Sequence, residues 1–407
     1  MTDRFSAFRH AAYSRYFISR FCASLGAQVV SVAVGWQIYD QTQNAALLGW
    51  IGLVQFLPAL VLVVVTGVTA DRFGRRNVMG LAVLVEMGCA LAILALAVSE
   101  AFNPVWVLGI LTLFGVARAF YAPASSSLAV NLVPREDFAN AVGWVTASWQ
   151  LASILGPVIG GLLYGFSASA AYSTAGVLFL MAGLLVFAIP KPAQRGVKEP
   201  TTLSSLLGGF SYVWKEKVVL GAISLDLFAV LLGGAVALLP VYARDILELG
   251  PSGLGLLRAA PGVGAVVMIG LITAFPIRDH AGIILFVSVA LFGLATMVFG
   301  ASTLAWLSIL ALALVGAFDM VSVYVREVLL QLWTPDEVRG RVSAVNSVFL
   351  GASNELGEAR AGFMAHYLGA VVTVVAGGAA AIGVAAAWAF LFPGIRTTRQ
   401  LHRDEVQ

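Results

Sequence analysis

The chain alternates apolar runs of about twenty residues with short polar connections, and a run of that length crosses a bilayer as a helix. Twelve such runs are predicted, at 16–40, 46–69, 77–98, 104–126, 140–165 and 170–190, then at 218–243, 252–275, 281–301, 304–326, 341–366 and 370–393. Once they are counted as a ladder, every second connection is basic. The basic set comprises the N-terminal segment (Arg4, Arg9, Arg15, Arg20), Arg72, Arg75 and Arg76, then Arg135, then Lys191, Arg195, Lys198, Lys215 and Lys217. It continues through Arg278, Arg339 and Arg341 to the tail with Arg396, Arg399 and Arg403, while the opposite side carries only Arg244. Basic loops stay in the cytoplasm, so the pattern predicts an all-α polytopic membrane protein with both termini cytoplasmic.

Composition agrees: 60% of residues are hydrophobic, 11% are charged and the mean hydropathy is +0.92. A soluble domain carries about a quarter charged residues. The net charge of +3 sits mostly in the cytoplasmic loops and reports topology, so no nucleic-acid partner is expected. Cys22 and Cys89 both fall in apolar runs and read as small buried residues, with no disulfide framework or metal site. The first apolar run continues to Asp40 without a short core and cleavage site, and so reads as an uncleaved first helix.

The stretch 191–217, with Pro192, Pro200 and four lysines, divides the runs into an N-terminal six-helix half (1–190) and a C-terminal half (218–393), followed by a tail (394–407). It reads as a cytoplasmic linker with a short surface helix around 203–214. The halves are related by a weak internal repeat that places Phe114-Gly115 on Val315-Gly316 and Pro134-Arg135-Glu136-Asp137 on Pro335-Asp336-Glu337-Val338. Parallel repeats of this kind suit a secondary transporter that rocks about a midplane site.

Three groups of residues carry chemistry. In the tight connection after the second run, Gly67, Asp71, Arg72, Gly74 and Arg76 set one carboxylate among guanidiniums; glycine allows close approach, and the charges read either as topology setting or as a pairing site. In the fifth run, Gly156, Pro157, Gly160 and Gly161 permit close helix contact and a bend. Inside the spans lie Arg118, Glu86, Asp226, Asp319, Glu355 and Glu358, an expensive set whose members must pair or titrate. Glu355 and Glu358 share a helix face and read either as a proton carrier or as part of a salt-bridge network with Arg360. Arg118 reads as a coupling group or a structural ion pair; the repeat sets it opposite Asp319, which predicts a charge pair across the halves. Trp36, Trp144 and Trp149 are candidates for a substrate cavity, with interfacial anchoring as the alternative.

The order Gly67-x-x-x-Asp71-Arg72-x-Gly74-Arg75-Arg76 resembles the signature loop of the major facilitator superfamily. The resemblance implies that Asp71 and Arg72 latch the cytoplasmic side, and that Arg118, with Leu113 and Gly115, matches a coupling arginine of the fourth helix. Gly143, Ala152, Gly156, Pro157, Gly160 and Gly161 resemble the family's export-type motif, with Ala152 where that motif has glycine. Tyr121-Ala122 replaces the glycine usual after the arginine, and the second-half loop Ala274–Asp279 has lost the signature. The opening Phe5-x-x-Phe8-Arg9, Gly35–Tyr39 and Ser353–Glu358 are similar to a bacterial branch of enterobactin-type siderophore exporters and drug-efflux proteins.

The resemblance implies a twelve-helix, inner-membrane, proton-coupled exporter of a small amphipathic molecule, acting as a monomer by alternating access. No cofactor is expected, and no phosphate-binding G-x-x-x-x-G-K-[ST] loop occurs. An uptake transporter or a lipid flippase of the same fold are the alternatives. A membrane enzyme is disfavoured, because no nucleophile and base constellation is present.

Overall fold

The computed structural model describes residues 4–99, 101–129, 131–190, 203–277 and 279–397, excepting the side chains at 63, 64, 67, 68, 71, 203–207, 209, 336 and 337. Gly67 and Asp71 of the signature loop are therefore described by backbone alone, and the linker from 191 to 202 and the tail from 398 lie outside the described residues. The chain is helical, with a 3-10 turn at Ser6–Arg9 followed by α1 (Ala11–Thr42), α2 (Ala45–Phe73), α3 (Arg75–Val98), α4 (Pro104–Ala129), α5 (Phe138–Phe166) and α6 (Ala168–Phe187). An amphipathic α7 (Leu203–Lys215) occupies the place expected of the surface helix. Then follow α8 (Lys217–Gly233), the single turn α9 (Leu239–Val241), α10 (Gly250–Ala274), α11 (Ala281–Ala301), α12 (Ala305–Trp333), α13 (Asp336–Leu368), α14 (Ala370–Leu391) and α15 (Pro393–Thr397).

Short polar residues set the helix starts. Asn44 Oδ1 accepts from the Ala46 amide at 3.0 Å, Asn103 Oδ1 from Val105 at 2.9 Å and Ser167 Oγ from Ala170 at 3.0 Å, each satisfying an amide that the first turn leaves open. Of the prolines matched by the internal repeat, Pro335 directly precedes α13, whereas Pro134 precedes a 3-10 turn (Arg135–Asp137) that leads into α5.

Two details differ from expectation. Among the described residues, eleven helical segments are long and apolar enough to span a membrane by composition alone, close to the twelve expected. The remaining one, α13, has the length, but Asn346, Asn354, Glu355, Glu358 and Arg360 lower its hydropathy. The seventh run is also not one helix to 243. It stops at Gly233, Gly234 is extended (ψ 127°), and the chain continues through a 3-10 turn (Val236–Leu238), α9 and a π turn (Tyr242–Ile246). A glycine pair gives up helix propensity, and Pro240 cannot donate to the preceding turn.

The chain forms two compact units. The first holds residues 1–42, 54–201 and 250–259, the second 43–53, 202–249 and 260–407. In the first, α1 packs on α5 and α6, and α3 on α4 and α6. In the second, α8 packs on α13 and α14, and α11 on α12 and α14, which is the same pattern one half later. The repeat-matched glycines act alike: a Cβ on Gly115 would lie 2.5 Å from the Gln55 carbonyl of α2, and one on Gly316 would collide with the Pro261 carbonyl of α10. Packing of bare backbone against backbone is how helices associate when lipid supplies no hydrophobic drive.

Candidate functional site

Of the signature loop, Gly74 has φ 86°, a conformation that favours glycine and lets α3 begin immediately after α2. The arginines that follow tie the turn to the bundle. Arg75 is buried and donates to the Ser127 carbonyl at 3.2 Å, while Arg76 donates to the Ile189 carbonyl at 2.8 Å and lies 5.9 Å from the Phe187 ring. Arg72 is exposed and stacks on Phe73. The loop's arginines thus divide into two that clasp helix ends and one that faces outward.

Within the first unit, Glu86 of α3 is 0% exposed, and neither carboxylate oxygen has a hydrogen-bond partner. Arg118 of α4, 42% exposed, brings Nη1 to 3.9 Å from Glu86 Oε1 and holds its guanidinium 6.0 Å from the Phe114 ring, one turn earlier. That separation exceeds the 2.7–2.9 Å of a closed charge-assisted bond. The buried Tyr121 hydroxyl, one turn beyond Arg118, also lacks a partner. On the neighbouring α1, Arg20 turns inward to Ser125 Oγ (2.9 Å) and Tyr16 Oη (3.3 Å).

The second unit contains a tighter group. Asp226 of α8 forms a buried ion pair with Arg326 of α12, whose whole side chain is enclosed. Asp319, seven residues before Arg326 and on the same face of α12, lies within electrostatic reach of both. Two acids therefore share one cation. On α13, Glu355 and Glu358 lie against Gly52 of α2, where an added Cβ would stand 3.2 Å from Glu355 Oε2 and 3.5 Å from Glu358 Cβ. Arg360 faces elsewhere, donating to Met364 Sδ at 3.3 Å, with Nε and Nη2 buried and without hydrogen-bond partners.

The glycine face of α5 packs on α1. A Cβ on Gly156 would collide with Gln28, and one on Gly160 would meet Val29 Cα at 3.0 Å. Gly161 meets the 250–259 segment of the same unit: its Cβ would lie 3.0 Å from Gly255 Cα. Pro157 sits inside the helix, its carbonyl 2.5 Å from where a Gly255 Cβ would be. Among the tryptophans, Trp36 is buried in α1, and Trp144 donates to the Arg4 carbonyl at 3.0 Å and packs with Phe5, Phe8 and Phe17, which commits it to the N-terminal segment. Trp149 is 51% exposed.

Two further cations lie inside spans, where the pattern of basic loops does not point to them. Arg326 is the partner of Asp226, and Arg258 of α10 donates to Ser31 Oγ at 2.8 Å within the first unit. A lone cation in an apolar run is itself the signal that finds them.

A multi-pass helical chain that keeps charged groups inside its spans has the construction of a membrane transporter. The chain belongs to the Major Facilitator Superfamily, whose family profile matches residues 16–319. It is 29% identical over 386 residues to "Enterobactin exporter EntS" of Shigella boydii serotype 4 and 28% identical over 386 residues to the protein of that name in Escherichia coli O81. Each alignment covers 91% of this chain and 88% of the relative. Among solved structures, a bacterial homologue of the human lysosomal transporter Spinster, in an inward-facing and unoccupied conformation, shares the fold with a TM-score of 0.77 at 14% identity, over 96% of this chain and 99% of that one. The POT family transporter PepTSo matches with a TM-score of 0.70 at 12% identity, over 95% and 98%. The protein is a transporter and not an enzyme.

Proposed function

We propose that this chain exports a small amphipathic molecule, siderophore-like or drug-like, across the bacterial inner membrane in exchange for protons. The observation that carries the direction is the alignment with enterobactin exporters over 91% of the chain, which takes in the Gly156-Pro157-x-x-Gly-Gly face of α5. Coupling is supported by the charges held inside both units: Arg118 and Glu86 in the first, and Asp226, Asp319, Glu355 and Glu358 in the second.

In this reading, residues 1–190 and 218–393 are two six-helix halves joined by the linker, and the chain works as a monomer with both termini cytoplasmic. Substrate loads from the cytoplasm, the halves rock, and protons entering from outside neutralise an intramembrane carboxylate to reset the cycle. The loop with Gly67, Asp71, Arg72, Gly74 and Arg76 latches the cytoplasmic side.

The test compares inside-out with right-side-out vesicles, using a panel of catechol siderophores and fluorescent cationic drugs. Export predicts accumulation in energised inside-out vesicles, abolished by a protonophore. Accumulation confined to right-side-out vesicles makes the protein an importer.

A further inference from the structure

Among the described residues, Glu86 is the one intramembrane carboxylate that is wholly buried and has no hydrogen-bond donor on either oxygen. An ionised carboxylate in that position forfeits its hydration with no hydrogen bond in return, and its compensating charge is Arg118 at 3.9 Å. Arg118 lies too far away to close a charge-assisted bond, yet near enough that a rotamer change brings it into reach. Its alternative seat is the Phe114 face, which holds a guanidinium without a counter-ion.

The other titratable groups around Glu86 are known. From α4 come Arg118 and Tyr121; from α1 come Arg20 and Tyr16, both engaged with Ser125; Cys89 lies one turn along α3 itself. The titratable side chain of α6, Tyr172, donates to Gln37 Oε1 at 2.6 Å. Arg20 directs Nη1 to Ser125 and Tyr16, and Arg118 is the cation within ion-pair range of Glu86.

We infer that Glu86 is a proton-binding site of the first unit, protonated in the arrangement seen here, with Arg118 as the positioning residue that captures the carboxylate when the proton leaves. The step balances simply. The Glu86 O–H bond breaks, the proton passes to a water molecule, and the carboxylate left behind pairs with the guanidinium. Reprotonation releases Arg118 to Phe114. The inference rests on the proton-coupled reading above, and it identifies which acid carries the proton.

Two measurements test it. The first is infrared difference spectroscopy of the purified protein during a pH jump, where wild type is expected to show the carbonyl stretch of a buried protonated carboxyl and Glu86→Gln to lose it. Glu86→Asp is expected to shift the band, which covers the case in which Glu86→Gln does not fold. A band unchanged in the variant that folds overturns the assignment. The second is transport driven by a pH gradient in proteoliposomes. Glu86→Gln is expected to lose roughly tenfold of gradient-driven accumulation, which is what a pH difference of about one unit sustains when one proton exchanges for one substrate, and what remains is expected to have a flat pH profile. Arg118→Lys, which keeps the charge but shortens the reach, is expected to move the pH profile. Wild-type accumulation in Glu86→Gln overturns the inference alone. Wild type with no gradient dependence overturns the coupling reading, and the infrared band still judges Glu86.

Discussion

Asp226 and Arg326 show at single-residue scale what an apolar span demands of a charge. Each is buried, and each is tolerable there because the other is present. Removing one partner leaves an uncompensated ion, so Asp226→Ala is expected to cost about 3–5 kcal/mol, read as a lower midpoint of thermal unfolding in detergent. The double change Asp226→Leu with Arg326→Met removes both charges and is expected to recover most of that loss. A double variant as unstable as the single one refutes this pairing. Asp226 was legible in the sequence as an intramembrane acid, but its partner was not, because the two residues lie far apart in the chain and no local spacing encodes which cation meets which acid. Glu86 is the converse: its position was plain, while its burial and lack of donors depend on how α3, α4 and α6 pack.

Among helices, packing is set by where side chains are missing. Gly115 and Gly316 occupy the same place in the two units, and each lets its helix touch the backbone of a neighbour, α2 or α10. Leucine at either position is expected to destabilise by about 1–3 kcal/mol through overpacking. Gly109, on the same α4 but with open space around its Cβ direction, supplies the control, and Gly109→Leu is expected to leave the unfolding midpoint nearly unchanged. Equal losses at Gly109 and Gly115 would contradict the close-contact account. The twenty-residue periodicity located most helices to within a few residues. It missed the break after Gly233, because an apolar run reports burial in lipid and says little about whether the backbone stays helical; the Gly233-Gly234 pair and Pro240 were the local signs. It also set α13 level with the others, although its polar residues make it a helix that needs partners along its length.

Across the whole molecule, the alternation of basic connections predicts orientation. In intact cells a membrane-impermeant thiol reagent is expected to label Asn103→Cys, between α3 and α4, and to leave Thr397→Cys, in α15, unlabelled until the membrane is opened. The native cysteines Cys22 and Cys89 are buried and give a low background. Labelling of Thr397→Cys in intact cells inverts the proposed topology. The repeated pattern of helix contacts, first helix to fifth and sixth, third to fourth and sixth, is the physical form of the weak sequence repeat and supports a machine of two like halves. The proposed work of that machine is exchange of substrate against protons. The most direct measurement places the purified protein in liposomes with a pH-sensitive dye inside, imposes a gradient of a transported catechol siderophore with no initial pH difference, and follows the internal pH. The account predicts that substrate flowing in one direction drives protons in the other, collapsed by a protonophore. Substrate flux with no movement of protons would contradict it.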